Sequence, residues 1–315
     1  MGISGIKFTT ISTNNLERNR ELFCAVVGME VVAEQKFSGP EVEKLWRLSP
    51  GATAHGLLLQ KPGIDGGGIR LLQFNPLSDV VARQGAAAWD TGAVKILDLI
   101  VNDHARATAL FDAHGFSWRS PAPNRYALPD GSETLERHIE TDDGVIIGVP
   151  QVFGQPRSKW VAAPDSSLFS EATNSSFLVN DFASSLHFYR DVLGLTVMED
   201  LSITSEELQK LIGLPEPVTL RMAFLQNPTT LAGKVGLLNY SGITGKSLSH
   251  RACPPHRGAI MLTFETDDLE GLESRLRANK AEIIASGIEL ELPPYGARRL
   301  LTARSPDGIF LEFFT

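Results

Sequence analysis

The sequence has few cysteines and no concentration of basic residues. Its 315 residues include only 2 cysteines, Cys24 and Cys253, which form no CxxC pair. This indicates a reducing compartment and no structural zinc. The formal net charge is −8, whereas a nucleic-acid-binding protein needs a basic patch to hold phosphates. We therefore expect no nucleic-acid partner.

The sequence also lacks long apolar runs. The N-terminal residues do not combine a basic stretch with a following apolar stretch, and no run approaches the length that spans a bilayer. We therefore expect a cytoplasmic, soluble protein without a membrane partner.

What the sequence does contain is an internal repeat. Residues 8–74 align with residues 174–240 without a gap, at an offset of 166 residues. The second and fourth quarters also correspond, because Asp103 aligns with Asp268 and the Asp-Gly pair at 143–144 aligns with the pair at 307–308. One constant offset over so long a stretch indicates an ancestral duplication. The residues of the first copy that are identical in the third are Asn14, Val26, Gly28, Val31, Glu41, Lys44, Leu45, Leu48, Thr53, Leu59, Gln60, Pro62, Gly67, Leu71 and Leu72.

The periodicity predicts four modules with the same order of elements. Each module begins with an alternating strand, continues with an amphipathic helix, and ends with three further strands. In modules one and three the predicted helices, 16–27 and 182–193, are ended by Gly28 and Gly194. The modules cover residues 6–74, 92–150, 173–240 and 258–315. We place a linker at 151–172, between an N-terminal domain (1–150) and a C-terminal domain (173–315).

Two local sequences carry a resemblance to a known family. Residues 180–195 read NDFASSLHFYRDVLGL and residues 305–312 read SPDGIFLE. With the four-module order, they resemble the first helix and the last strand of the vicinal oxygen chelate superfamily, which includes glyoxalase I, bleomycin-resistance proteins and extradiol dioxygenases. The resemblance implies an α+β fold of four tandem βαβββ modules, which form two paired-module domains with curved, mostly antiparallel sheets.

The resemblance also implies where a metal would bind. In this family the ligands come from the first strand, seven residues before the residue that opens the helix, and from the last strand. Of the eight matching positions only Glu312 is a usual ligand, so we expect no cofactor; a divalent Fe, Mn or Zn ion is the alternative. The eight positions are Phe8, Arg70, Ile96, Gly148, Asn174, Gly236, Met261 and Glu312.

Two carboxylates are the candidate catalytic groups. Glu312 lies in an otherwise apolar final strand, where an ionised group needs a metal, a cation or several donors. If module one pairs with module four instead of module two, Arg70 would face Glu312 and replace the metal, or would bind an anionic substrate. Asp98 lies two residues after Ile96 and therefore shares its inward face. A buried Asp98 is a candidate general base.

Further polar residues are candidates for substrate binding. Asn174 and Ser176 face inward by strand alternation, although satisfied core polar groups are the plain alternative. His55 and Arg221 are equivalent residues of modules one and three and line either the cup mouth or a solvated face. Tyr240 is interpreted as pocket wall or core. His138 is interpreted as part of a surface charge cluster.

These features favour an enzyme that acts on a small hydrophobic or aromatic oxygenated molecule. We expect proton-transfer chemistry of the lyase or isomerase type without a standard metal site, with the molecule bound in an apolar cup. One alternative is a binding protein of the bleomycin-resistance type that sequesters its ligand. A second is a metal-dependent ring-cleaving dioxygenase in which His55, His138 or His256 would converge on Glu312. The expected assembly is a monomer or a homodimer.

Overall fold

The protein is described from a computed structural model that covers residues 2–155, 161–214 and 218–315. It is an α+β fold made of four modules, as predicted. Module one contains β1 (Ile3–Ser12), α1 (Leu16–Arg20), β2 (Glu30–Phe37), α2 (Pro40–Trp46), β3 (Thr53–Gln60) and β4 (Gly68–Asn75). Module two contains β5 (Val94–Asp98), α3 (His104–Ala113), β6 (Asn124–Ala127), β7 (Glu133–Glu136), β8 (His138–Glu140) and β9 (Ile146–Gly148), and is followed by β10 (Gln151–Phe153). Module three contains β11 (Asn174–Leu178), α4 (Phe182–His187), β12 (Thr196–Ile203), α5 (Glu206–Ile212), β13 (Leu220–Gln226) and β14 (Lys234–Tyr240). Module four contains β15 (Gly258–Thr266), α6 (Leu269–Ala278), β16 (Glu282–Glu291), β17 (Ala297–Arg304) and β18 (Phe310–Phe314).

Each module opens its main helix in the same way. The side chains of Asn15, Asp103, Asp181 and Asp268 each accept a hydrogen bond from the backbone N–H three residues later. These caps satisfy backbone donors that an α-helix otherwise leaves without a partner.

The helices of modules one and three continue past α1 and α4 as π-helical segments, Glu21–Val26 and Phe188–Val192. They end where the sequence predicted, because Gly28 and Gly194 adopt φ angles of 78° and 81°. Helix α5 is capped by Ser205, whose side chain accepts a hydrogen bond from the backbone N–H of Leu208.

The sheets pair module one with module four, and module two with module three. The eight-stranded sheet has the order β16-β17-β18-β15-β1-β4-β3-β2, and the seven-stranded sheet has the order β12-β13-β14-β11-β5-β9-β8. The sheets therefore cross the predicted division at 151–172, and neither 1–150 nor 173–315 contains a whole sheet. Every module offers a similar first strand for pairing, so the repeat pattern alone left both pairings open.

The two halves of the chain are related by an approximate two-fold axis. Thr9 and Ser175, which are equivalent residues of modules one and three, place their hydroxyl oxygens 2.6 Å apart. Their separation of 166 residues is the offset of the sequence repeat. The helices and one face of each sheet share a single large apolar core. The opposite faces form two separate cups, each with its own apolar cluster.

Within the described residues, no helix is both long enough and apolar enough to cross a membrane.

Candidate functional site

The two cups differ in how completely they are filled. The cup of modules one and four holds an apolar cluster with Phe8, Trp46 and Phe310, and the cavity beside Arg70 has an empty volume of about 270 Å³. The cup of modules two and three contains a cavity with an empty volume of about 1020 Å³, measured out to its open mouth. The second cup therefore has the room for a small molecule.

Glu312 lies in the filled cup and is engaged on both carboxylate oxygens. Arg70 Nη1 lies 2.8 Å from its Oε1, Thr263 Oγ1 donates to the same oxygen, and Trp46 Nε1 donates to Oε2 at 2.8 Å. Both charged side chains are at most 2% exposed. The Arg70 guanidinium also lies over the rings of Phe8 and Trp46. Arg70 is thus the cation that pairs with the buried Glu312 carboxylate. These contacts fit a structural ion pair.

His55 and Arg221 lie outside the cavity between modules two and three. His55 Nε2 lies 2.7 Å from Glu34 Oε1, and Arg221 forms a bidentate pair with Asp200. Both pairs are solvent-exposed. The solvated face is therefore the interpretation that these two positions support, although His55 also borders a separate open cleft with an empty volume of about 980 Å³. The role of the two residues in substrate binding stays a prediction.

The large cavity brings together four of the predicted residues. Asp98, Asn174, Ser176 and Tyr240 all line it. Asn174 Nδ2 donates to Asp98 Oδ2 at 2.7 Å and lies 2.8 Å from Ser176 Oγ. The other Asp98 oxygen, Oδ1, is buried and has no hydrogen-bond partner among the described residues. One oxygen of this cavity-lining carboxyl group thus has hydrogen-bonding capacity that no described residue uses.

Two glycines make room for this polar group. A Cβ at Gly148 would lie 2.1 Å from Asp98 Oδ1, and a Cβ at Gly236 would lie 2.0 Å from Ser176 Oγ. In the filled cup the matching last-strand positions are Glu312 and Arg70, opposite Thr263 and Thr10. In the open cup, Gly148 and Gly236 stand at these last-strand positions, opposite Asp98 and Ser176. Asp98 and Ser176 therefore occupy the space that the side chains of Glu312 and Arg70 fill in the filled cup.

Burial sets the protonation of Asp98. Burial and the neighbouring Glu136 carboxylate raise the pKa of Asp98 to about 7, against the effect of the Asn174 amide. Burial also acts on Glu136, but the hydrogen bonds from His138 and Tyr126 outweigh it and hold the pKa of Glu136 below its usual value. The cavity therefore holds two neighbouring carboxyl groups whose pKa values are shifted in opposite directions.

Sequence reasoning missed Glu136 and Tyr126 and misplaced His138. His138 is only 6% exposed, its Nε2 lies 2.8 Å from Glu136 Oε1, and the Tyr126 hydroxyl donates to Glu136 Oε2. The interpretation of His138 as part of a surface charge cluster is wrong. Glu136 and His138 alternate with Arg137, which was the available signal, but the two residues lie on separate short strands, β7 and β8.

Lys95 is a further cavity residue that the sequence did not indicate. It is 8% exposed and its Nζ donates to the Tyr240 hydroxyl at 2.6 Å. Burial, reinforced by the charges of Arg83 and Arg119, lowers the pKa of Lys95 well below its usual value. The phenol of Tyr240 has a raised pKa because it is buried. Burial therefore disfavours the charged form of both side chains, the ammonium of Lys95 and the phenolate of Tyr240.

The residues of neither cup fit the family's metal site. Ile96, Gly148, Asn174 and Gly236 stand at the four ligand positions of the open cup, and only the Asn174 amide oxygen could contribute a ligand. Among residues 2–155, 161–214 and 218–315, no three His, Cys, Asp or Glu side chains are placed to hold a metal ion. The nearest approach to a donor set, Glu136 with His138, is already internally hydrogen-bonded. The absence of a cofactor stays a prediction.

The histidines that a ring-cleaving dioxygenase would need do not gather at Glu312. His138 lies in the other cup and His55 pairs with Glu34. The ring of His256 faces the Arg251 carbonyl and, at 4.0 Å, the Cys253 thiol.

Comparisons with known proteins agree with this architecture. The family model described as "Glyoxalase/Bleomycin resistance protein/Dioxygenase superfamily" matches residues 173–313, which are modules three and four. No curated protein matches the sequence.

Solved structures show the same fold over the whole chain. Glyoxalase I from Zea mays has a TM-score of 0.65 and 13% identity, and the similarity covers 99% of this chain and 92% of that one. A putative dioxygenase from Bacillus subtilis subsp. subtilis str. 168 has a TM-score of 0.62 and 11% identity, covering 100% of this chain and 86% of that one. The family model thus matches the C-terminal half of the chain, and the solved structures show that the whole chain has the fold of glyoxalase I.

Proposed function

We propose that the protein is an enzyme that transfers a proton on a small, apolar, oxygenated molecule bound between modules two and three. The observation that carries this proposal is the Asp98 carboxyl group. The pKa of Asp98 is raised to about 7, the residue lines the cavity, and its buried Oδ1 has no hydrogen-bond partner among the described residues. A general acid or base works best when its pKa lies near the working pH.

The neighbouring groups suit this role. Hydrogen bonds from His138 and Tyr126 lower the pKa of Glu136, and the negative charge of Glu136 raises the pKa of Asp98. Two carboxyl groups with separated pKa values divide the roles of proton donor and fixed charge. Ser176 accepts from Asn174, so its own hydroxyl hydrogen is free to point at a substrate oxygen. That hydrogen would stabilise negative charge developing on the oxygen.

The remaining lining selects the class of substrate. Apart from the polar cluster and the side chains of Lys95, Glu199 and Lys234, the walls are mostly aliphatic and aromatic. An apolar cavity with a few convergent polar groups is typical of sites for hydrophobic small molecules. The apolar lining includes Leu201, Leu208, Leu211, Met222, Phe224 and Leu238.

Hydrogen exchange on a simple ketone tests the proposal. Phenylacetone has exchangeable protons next to its carbonyl group, and their replacement by deuterium in D₂O is followed by NMR. We expect the wild-type protein to accelerate this exchange and Asp98→Asn to slow it by about 100-fold, as for the loss of a general base. Asp200→Asn removes an exposed carboxylate of the same sheet and is the matched control. Equal rates for the wild type and Asp98→Asn would refute the assignment.

The second candidate function is sequestration of a small molecule, and the loss of the family's metal-ligand positions favours it. Under this proposal phenylacetone, or a ligand that co-purifies, binds in the cavity and is recovered unchanged. Binding detected by NMR without any acceleration of exchange would support sequestration over catalysis. A stoichiometric metal in the purified protein, lost together with activity on dialysis against a chelator, would instead support the metal-dependent alternative.

A further inference from the structure

Lys95 reaches the cavity because of an irregularity in β5. Ser176 of β11 pairs with Ile96, but the next residue, Phe177, pairs with Val94, so Lys95 is the extra residue of a β-bulge. Val94 and Leu97 belong to the core between the sheets, whereas Lys95 and Ile96 both line the cavity. Bulges redirect a side chain in this way and are frequent next to active sites.

The other half of the chain contains the same bulge with an apolar residue. In β15, Thr10 pairs with Met261 and Ile11 pairs with Ala259, which leaves Ile260 as the extra residue. Ile260 and Met261 both pack in the filled cup. The bulge is therefore a feature of the fold, and the presence of an amine at its tip is particular to the open cup.

The amine at this position lacks the partner that a buried lysine usually has. Lys7, which is 4% exposed, lies within ion-pair distance of both Asp65 and Glu265. Lys95 forms no ion pair with any described carboxylate, and its hydrogen bond goes to the neutral Tyr240 hydroxyl. The cations Arg83 and Arg119 lie on its other side, where Lys95 also lines a smaller cavity with His138 and Glu140. A desolvated lysine beside other cations is the environment that makes an amine nucleophilic.

We propose that Lys95 Nζ forms an imine with the carbonyl carbon of an aldehyde or ketone bound in the cavity. This inference rests on the proposed function, because it names the class of substrate for the same cavity. It also assigns Lys95 as a catalytic residue.

The chemistry balances with groups already present. The Nζ lone pair attacks the carbonyl carbon, and the carbonyl oxygen takes up a proton to give a carbinolamine. Loss of the nitrogen proton and of the hydroxyl group as water then gives the imine, with no oxidation or reduction. Protonated Asp98 can donate a proton to the imine nitrogen, and the resulting carboxylate can remove a proton from the carbon next to the iminium carbon. The iminium group accepts the electron pair, so proton abstraction becomes easier than from the free ketone.

Reductive trapping tests the imine directly. The full chain is incubated with benzaldehyde and sodium cyanoborohydride at about pH 6, where an exposed lysine is almost fully protonated, and the modified residues are mapped by tandem mass spectrometry. We expect one reduced benzyl group per chain, on Lys95, at least about tenfold faster than on exposed Lys210. Ion-paired Lys7 should not react. Labelling of the wild-type chain needs no variant, so the test stands even if Lys95→Met fails to fold; if that variant folds, it should lose the fast label.

The outcomes separate this inference from the proposed function. Fast labelling at Lys95 without catalysed exchange of phenylacetone supports the imine and refutes proton transfer. Catalysed exchange in both the wild type and Lys95→Met, with no label on Lys95, refutes the imine and leaves proton transfer intact. Labelling of Lys234, which lines the same cavity, in place of Lys95 also overturns the assignment. Exchange that is lost in both Asp98→Asn and Lys95→Met supports the two proposals together.

Discussion

Replacing Asp98 by asparagine should stabilise the folded protein at neutral and alkaline pH. The pKa of Asp98 is raised from 3.8 to about 7 in the folded state, so between these values the folded state binds a proton that the unfolded state has lost. The unfolding free energy contributed by Asp98 therefore falls as the pH rises from about 4 to about 7 and stays constant above that. Each pKa unit corresponds to about 1.4 kcal/mol, and the shift of Asp98 corresponds to about 4 kcal/mol.

Asparagine resembles the neutral form of this side chain. Its carbonyl oxygen can keep the bond from Asn174, and its amide can donate toward Glu136, whose carboxylate lies next to Asp98. Asp98→Asn and the wild type should therefore have similar stability at about pH 4. At about pH 8 the variant should be more stable by up to about 4 kcal/mol.

Urea unfolding at a series of pH values, followed by tryptophan fluorescence, measures this difference. Subtracting the two curves removes the contributions of titrating groups that do not interact with Asp98, and Asp200→Asn controls for the loss of a charge. The difference reports Asp98 together with Glu136, which interacts with it. If the difference between wild type and Asp98→Asn does not change with pH, or if the variant is the less stable of the two at about pH 8, Asp98 is ionised in the folded protein and the reasoning is refuted.

Three further outcomes are expected. Arg70→Met should destabilise the fold by about 3–5 kcal/mol because it leaves Glu312 buried without its cation, whereas the double variant Arg70→Met/Glu312→Leu should recover most of that loss; strictly additive losses in urea unfolding would contradict the ion pair. Gly148→Ala should slow phenylacetone exchange at least about tenfold, since its Cβ would lie 2.1 Å from Asp98 Oδ1, and an unchanged rate would show that Asp98 is not held where we place it. Tyr126→Phe removes a hydrogen bond that lowers the pKa of Glu136, so the acid limb of the exchange-rate profile should move to higher pH; a profile that keeps its position would exclude a contribution from Glu136.

The repetitive part of the fold could be predicted from the sequence because local signals determine it. The four helix caps and the glycines at 28 and 194 act within one turn of the chain, and strand alternation correctly placed Asp98, Asn174 and Ser176 on the cavity face. The pairing of modules could not be predicted, because it depends on which of several similar first strands come together.

The rest of the site depends on departures from regular structure. Lys95 faces the cavity only because a bulge breaks the two-residue period of β5. Glu136 and His138 lie on two short strands, and the break between them hid their common face. The sequence shows Glu312 as an acid in an apolar strand, but its partner, Arg70, lies in the first module of the chain. Irregular backbone and long-range pairing thus account for what sequence periodicity missed.

A ¹³C NMR titration of the side-chain carboxyl groups, with and without phenylacetone, tests the central claim most directly. We predict one aspartate resonance, absent from Asp98→Asn, that titrates at about pH 7 in the free protein and whose midpoint moves when phenylacetone enters the cavity. If the Asp98 resonance titrates within the ordinary aspartate range, at about pH 4, or does not respond to the ketone while another carboxyl group does, the site lies elsewhere and the account is contradicted.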